Sequence, residues 1–169
     1  YMTEYLIGKG HKNIGFIGVY EEDRSVGLER KNGYIAALNE NDLEVDIENL
    51  KLGDFSYESG YELSKKLIKK KNIPTAIFAV TDNLAIATID CLKDNGLNVP
   101  EDVAVVSIGD TRISQVVSPK LTTIHYYYKT SGRKSGEIML ELLKNGIKTS
   151  KTIKKNIKLS YRLIERNSV

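Results

Sequence analysis

Three aspartates stand where side chains could do chemistry. Asp54, Asp82 and Asp110 each come two residues after the end of a short apolar run. In an open parallel sheet the carboxyl ends of the strands share one edge, where ligands bind, so we expect these carboxylates to lie close together. Such a group could hold Mg²⁺ for phosphoryl transfer. Aspartate also caps helices that follow strands, and Asp82 and Asp110 are placed for that plainer role.

A ring and a guanidinium are expected at the same edge. Phe55 follows Asp54 in a polar loop, and a flat ring there can stack on a sugar or a purine. Arg30 lies one turn into the helix after the first apolar run, and its planar fork suits paired hydroxyls or a carboxylate. The plainer alternatives are a ring that covers the sheet edge and an arginine on a helix surface. Both residues favour a binding site for a small molecule.

Catalytic signatures are weak in this sequence. His11 and His125 have no partner at metal-ligand spacing, and Cys91 lies mid-helix as a core residue would. The sequence contains neither a nucleophile elbow nor a phosphate loop. We therefore expect no enzymatic activity, no cofactor and no metal site, and a Mg²⁺-dependent enzyme is the last alternative.

The elements that would position these residues are strands that alternate with helices. Near-continuous apolar runs are typical of a parallel sheet covered on both faces, which predicts an α/β fold. A mixed α+β fold is the alternative. Gly96 and Gly146, each preceded by asparagine, are predicted to end two of the helices. The predicted strands are Ile14–Val19, Leu50–Leu52, Ala76–Val80, Val103–Ile108 and Leu121–Ile124.

Composition narrows the class of protein. The 169 residues are 41% hydrophobic and 28% charged, as in average soluble domains, and the net charge of +3 gives no argument for nucleic-acid binding. The single cysteine fits a reduced compartment. With no apolar run near the ~20 residues of a membrane span and no leader, we expect a cytoplasmic protein without a membrane partner. Because the first residue is Tyr1, we expect a fragment or a processed chain.

Six segments in order carry a recognisable pattern across nearly the whole chain. They are GHKNIGFIG at 10–18, RKNGY at 30–34, GDFSYESGY at 53–61, PTAIFAVTD at 74–82, VPEDV at 99–103 and PKLTTI at 119–124. Together these segments resemble the C-terminal part of the effector-binding region in bacterial transcriptional regulators of the LacI/GalR family.

The resemblance implies a periplasmic-binding-protein-like lobe with Rossmann-like three-layer architecture. Residues 1–125 would form the C-terminal lobe of the effector-binding core. Residues 126–150 would form a helix that crosses to a missing N-terminal lobe. Residues 151–169 would form a returning strand, near Ile157–Ile164, and the tail. Operator DNA would be contacted only through a missing N-terminal domain.

The resemblance also implies roles for individual residues. The ligand-binding positions would be Arg30, Phe55, Thr81, Asp82 and Asp110. Thr81 stands where many members have asparagine, and Gly109 replaces a polar site residue. Ile86 and Val117 fall where the family builds its dimer interface.

The function that the resemblance implies is allosteric control of operator binding by a small effector. A sugar is the expected ligand, a purine-like molecule is the alternative, and the regulator would be a homodimer. A sugar-binding component of a transporter and a regulator with a protein corepressor are the other functions to consider.

Overall fold

Six strands form one sheet in the part of the chain that the structure describes. The structure, a computed structural model, describes residues 1–144 and 157–169. The strand order is β2-β1-β3-β4-β5-β6, with β1 to β5 parallel and β6 antiparallel to β5. The strands are β1 Ile14–Val19, β2 Leu50–Gly53, β3 Ala76–Ala79, β4 Ala104–Gly109, β5 Thr122–Tyr126 and β6 Tyr161–Ile164.

Helices cover both faces of this sheet. The helices that cover the sheet are α1 Met2–Gly8, α2 Glu29–Glu40, α3 Tyr57–Ile68 and α4 Asp82–Asp94, and α5 Tyr128–Lys144 follows β5. Consecutive strand residues point to opposite faces. The ring of Phe16 meets Tyr34 of α2 at 4.9 Å, whereas the Cα of neighbouring Gly15 faces Leu67 of α3. The predicted α/β class with three layers is therefore confirmed, and the α+β alternative is wrong.

The core lies in the central strands. Every residue of β1, β3 and β4 is buried, which explains why these strands appear in the sequence as near-continuous apolar runs. The five predicted strands match β1 to β5 to within two residues at each end. Gly96 has a positive φ of 75° directly after α4, as predicted for a helix end. The second predicted helix end, at Gly146, lies outside the described residues.

The two proposed aspartate caps are wrong. Thr81 is the N-cap of α4, and its hydroxyl oxygen accepts a hydrogen bond from the Leu84 amide at 3.3 Å. Asp82 is instead the first residue of the helix. Asp110 has a left-handed φ of 52°, and the short 3₁₀ turn that follows it is preceded by Thr111.

The last residues of the chain close the sheet. Ser168 is fully buried. Its hydroxyl accepts from the Thr122 amide at 2.8 Å and donates to the Val105 carbonyl at 2.6 Å. One serine thus joins the start of β5 to β4, and it holds the tail against the sheet.

Helix α5 stands apart from this core. None of its residues is buried, and Met139, Leu140 and Leu143 are 57–60% exposed. Its apolar side is therefore uncovered by the residues described. None of the helices in the described ranges is long and apolar enough to cross a membrane.

Candidate functional site

The loops that follow the parallel strands meet at one edge of the sheet. The Tyr20 amide donates to the Gly53 carbonyl at 2.9 Å, which joins the ends of β1 and β2. The Asn83 side chain donates to the Phe55 carbonyl at 2.8 Å, and the Thr111 amide donates to Asp82 at 2.7 Å. All five residues predicted to bind a ligand lie at or beside this carboxyl edge.

Asp82 is a buried cross-link at the centre of the edge. Its residue is 3% exposed. Each of its two carboxylate oxygens accepts two hydrogen bonds. Oδ1 accepts from the hydroxyls of Ser107 at 2.5 Å and Thr123 at 2.9 Å, while Oδ2 accepts from the amide and hydroxyl of Thr111, each at 2.7 Å. The carboxylate thus fixes the start of α4 to β4, to β5 and to the loop between them.

Asp110 is held by two partners that the sequence did not reveal. Its Oδ2 lies 2.8 Å from His125 Nδ1, and its Oδ1 accepts from Arg166 Nη2 at 2.5 Å. Arg166 also donates from Nη1 to the Leu121 carbonyl at 2.7 Å. The Asp110 side chain is 11% exposed and that of Arg166 is 15% exposed, so this ion pair is largely shielded from water. Nothing in the sequence pointed to Arg166, which lies 56 residues from its partner.

Arg30 presents a cation at the edge. Its Nη1 donates to the Val80 carbonyl, and its guanidinium carbon lies 5.9 Å from the centre of the Tyr126 ring. Burial lowers the pKa of Arg30, and Tyr126, Tyr128, Asp23 and Asp82 oppose that shift. Arginine stays protonated in proteins, so the site keeps a positive charge. Within the described ranges no carboxylate lies at ion-pair distance from Arg30.

Phe55 lies in the exposed part of the edge. Its side chain is 47% exposed, in the loop between β2 and α3. Hydrogen bonds hold this loop in place: Asp54 accepts from the Ser56 amide at 2.8 Å, and the Ser56 hydroxyl caps α3 by accepting from the Ser59 amide at 3.1 Å. Hydrogen bonds to Asp54, chiefly that from the Ser56 hydroxyl, lower its pKa. The ring is therefore presented to solvent on a well-held loop.

Two tyrosines belong to the same edge and were missed in the sequence. The ring centres of Tyr126 and Tyr128 are 6.1 Å apart, and His125 lies 6.4 Å from Tyr128. Burial raises the pKa of the Tyr128 hydroxyl, and the Arg30 charge acts in the opposite direction. The run of three tyrosines that begins at the end of β5 was the available signal.

A cavity opens beside Arg30. It has a volume of about 190 Å³ and is lined by Arg30, Tyr126, Phe78 and Ile108, among others. A second cavity, of about 320 Å³, lies against Tyr126, Tyr127 and Tyr128. Of the five residues predicted to bind a ligand, Arg30 lines the first cavity, whereas Phe55, Thr81, Asp82 and Asp110 line neither of these two cavities.

The magnesium hypothesis finds no support in this geometry. Among residues 1–144 and 157–169, no group of three or more histidine, cysteine, aspartate or glutamate side chains is arranged to hold a metal ion. Asp82 and Asp110 are occupied by protein donors. His11 bonds Thr75 at 3.1 Å. Cys91 is buried, and burial raises the pKa of its thiol to about 11, so it is a poor nucleophile near neutral pH.

The two predicted dimer positions are mostly covered within the chain. Ile86 is 7% exposed in α4, and Val117 is partly buried against the core. Ile113 and Val116, which lie close to Val117 in the chain, are 48% and 71% exposed. An interface that uses Ile86 and Val117 stays a prediction.

Comparisons with known proteins agree on one family. Residues 3–169 match the model of the periplasmic binding protein-like domain. The chain is 37% identical over 142 residues to the HTH-type transcriptional repressor PurR of Actinobacillus pleuropneumoniae. The aligned residues cover 84% of this chain and 42% of that protein.

Solved structures give the same result. A regulatory protein of the LacI family from Chloroflexus aggregans superposes with a TM-score of 0.89 at 28% identity, over 99% of this chain and 58% of that one. A complex of the transcriptional regulator CelR with cellobiose gives a TM-score of 0.87 at 28% identity, over 99% of this chain and 50% of that one. The chain thus spans about half the length of the proteins it matches.

Proposed function

The chain belongs to the periplasmic-binding-protein-like domains, as the effector-binding region of a LacI/GalR-family regulator, and we propose that it controls operator binding by accepting a small molecule at its carboxyl edge. The observation that carries this proposal is the Arg30 guanidinium. It lies beside a cavity, makes one hydrogen bond to protein, and has no carboxylate at ion-pair distance among the described residues. A half-buried cation without an ionic partner loses part of its hydration, and a ligand with acceptor atoms would offset that loss.

Hydrogen bonds within the protein hold the side chains of the carboxyl edge in place without a ligand. Asp82 and Asp110 tie the loops after β3 and β4 to β5 and to the tail through buried hydrogen bonds. Groups held in place in advance lose little conformational entropy when a ligand binds. In our proposal these two aspartates position the site, while Arg30 and Phe55 touch the ligand and Thr81 lines it.

We propose the lobe boundaries that the family resemblance implies, and the exposed helix supports them. Residues 1–125 would form one lobe, 126–150 would cross to the second lobe, and 151–169 would return. In support, α5 buries none of its residues, and β6 pairs with β5 of the first lobe. A ligand held between the lobes would change their relative orientation, and a coupling of about 1–3 kcal/mol would alter DNA affinity roughly 5- to 150-fold.

The ligand class in this proposal is a ring-shaped small molecule. The likeness to a regulator solved with cellobiose supports a sugar. The chain is also 37% identical to a transcriptional repressor, PurR, and a purine-like molecule stays the alternative. We further propose a homodimer that uses the surface around Ile86 and Val117. These relatives are named as regulators or repressors, which favours a regulator over a transport component.

Electrophoretic mobility of DNA tests the proposal. The complete protein is titrated onto duplexes from the region upstream of its own gene, with and without a panel of sugars and nucleobases. We expect sequence-specific retardation and a change of at least about fivefold in affinity with one or more compounds. Retardation of none of the duplexes would contradict the regulator function.

A further inference from the structure

A cavity opens at the amino edge of the sheet, at the other end of the strands from the carboxyl edge. It lies beside Asn13 and Asn49, which directly precede β1 and β2. Its volume is about 330 Å³, compared with about 190 and 320 Å³ for the two cavities described above. Small-molecule sites commonly have volumes of about 300–1,000 Å³, so this amino-edge cavity is large enough to hold a ligand.

Hydrogen bonds between side chains hold the wall of the amino-edge cavity in place. Asn49 is 4% exposed, and its amide nitrogen donates to Asn13 Oδ1 at 2.7 Å. Asn13 donates to the Ile73 carbonyl at 3.1 Å, and Lys70 donates to Asn49 Oδ1 and to Asp46, each at 2.7 Å. The segments that precede β1, β2 and β3 are thus joined to the residue two positions after α3. A ligand would therefore meet a wall that is already ordered.

Two buried residues of this wall keep unused hydrogen-bonding capacity. A side-chain amide has two N–H groups, and among the described residues Asn49 Nδ2 makes one hydrogen bond. Tyr34, which is 1% exposed, donates its hydroxyl hydrogen to the Ile14 carbonyl at 2.8 Å. Burial raises the pKa of this hydroxyl, so it stays protonated, and its oxygen keeps the capacity to accept. One donor and one acceptor are therefore available for a ligand.

Charges of opposite sign line the amino-edge cavity without pairing. Lys12 and Glu44 are both exposed lining residues. Within residues 1–144 and 157–169, neither side chain forms an ion pair or a hydrogen bond, with the other or with a third residue. The other lining carboxylate, on Asp46, is paired with Lys70. One cation and one anion thus remain for a ligand, and Ile14 and Leu38 add apolar surface.

We propose that the amino-edge cavity is a second small-molecule site, which takes a zwitterion of the size of an α-amino acid. The Lys12 ammonium binds the carboxylate of the ligand, and the Glu44 carboxylate binds its ammonium group. The side chain of the ligand lies against Ile14 and Leu38. This proposal is independent of the function proposed above, because none of the five residues predicted to bind the effector lines this cavity.

The charges of the lining favour a zwitterion over other small molecules. An anion such as inorganic phosphate would be attracted by Lys12 but repelled by Glu44, and a cation would meet the reverse. A neutral polyol would leave both charges without an ionic partner. A ligand that carries both charges matches the cation and the anion together, which no singly charged ligand does.

Ligand-observed NMR titration of the complete protein with the twenty protein amino acids, one at a time, tests the site. We expect at least one of them to bind with a Kd below about 1 mM, and glycerol, the polyol probe, not to do so. The N-acetyl and the carboxamide derivatives of that amino acid each lack one charge, and we expect each to bind at least about fivefold more weakly. The proposal is wrong if none of the amino acids binds below about 1 mM, or if either derivative binds as tightly as the free amino acid.

Two pairs of variants locate the bound amino acid. Lys12→Met and Glu44→Gln each remove one charge from the cavity and are expected to weaken binding at least about fivefold. Lys71→Met and Glu40→Gln, at positions outside the lining, are the matched controls and should leave the affinity within about twofold. All four side chains are exposed, so we expect the variants to fold. Equal affinities in a cavity variant and its matched control would overturn the proposal.

Arg30→Met separates the amino-edge cavity from the carboxyl edge. We expect this variant to bind the amino acid as tightly as the wild type does. Loss of amino-acid binding in Arg30→Met, with none in Lys12→Met, would place the amino acid at the carboxyl edge and contradict a second site. If the amino acid binds with the expected dependence on Lys12 while no duplex is retarded, the second site stands and the regulator function is wrong.

Discussion

At the scale of single residues, Asp82 and Asp110 act as internal cross-links at the edge where the ligand is proposed to bind. Both are nearly covered, and both accept hydrogen bonds from residues distant in the chain. The sequence predicted where these aspartates would lie, because each follows an apolar run by two residues. It could not predict what they bond, since the donors Thr123 and Arg166 come from other elements. We therefore expect Asp82, at the start of α4, to contribute to the stability of the fold.

Asp82→Asn tests this structural role. In this variant an amide nitrogen, which cannot accept a hydrogen bond, replaces one carboxylate oxygen and faces donors that have lost their acceptor. We therefore expect the free energy of unfolding to fall by about 2–4 kcal/mol in urea denaturation. Asp42→Asn, at an exposed position after α2, is the control, with a change within about 0.5 kcal/mol. An unchanged urea midpoint for Asp82→Asn would show that these hydrogen bonds contribute little.

At the scale of elements, the residues of each parallel strand are enough to predict that strand, whereas the residues of β6 and the tail are not. Strands β1, β3 and β4 are buried throughout, so each is an uninterrupted apolar run that the sequence shows directly. Strand β6 is exposed at Tyr161 and Arg162, so it does not form an apolar run in the sequence. This strand was expected only from the family resemblance. Arg166 acquires its partner only once β6 has paired with β5, which explains why sequence reasoning missed the pair.

Arg166→Met tests how firmly the tail is held. The substitution removes the cation from a largely buried pair and leaves the Asp110 carboxylate with His125 alone, so we expect a loss of about 3–5 kcal/mol in unfolding free energy. Arg162→Met, on the exposed side of β6, is the matched control and should stay within about 0.5 kcal/mol. Equal denaturation midpoints for the two variants would refute the stabilising role of the pair.

At the scale of the whole molecule, the described residues provide one side of the proposed binding site and a helix with an uncovered apolar face. The side chains of the carboxyl edge supply donors and rings, while α5 exposes Met139, Leu140 and Leu143. A second lobe packed on α5 would cover that face and could close the cleft over Arg30 and Phe55. The family resemblance suggested this division, but the sequence alone could not specify the ligand, because the surroundings of Arg30 come from elements that are distant in the chain.

The central claim is that a small molecule bound at this edge controls DNA binding. The most direct measurement uses a compound that changes DNA affinity, and it compares the complete wild-type protein with Phe55→Ala. The quantity measured is the compound concentration that gives half of the full change in DNA affinity, the half-effect concentration. Phe55 is 47% exposed, so its removal should leave the unfolding midpoint nearly unchanged. We predict that the half-effect concentration rises by about fivefold or more, because the loss of ring stacking removes roughly 1 kcal/mol or more of binding energy. The same half-effect concentration in both proteins would contradict the account.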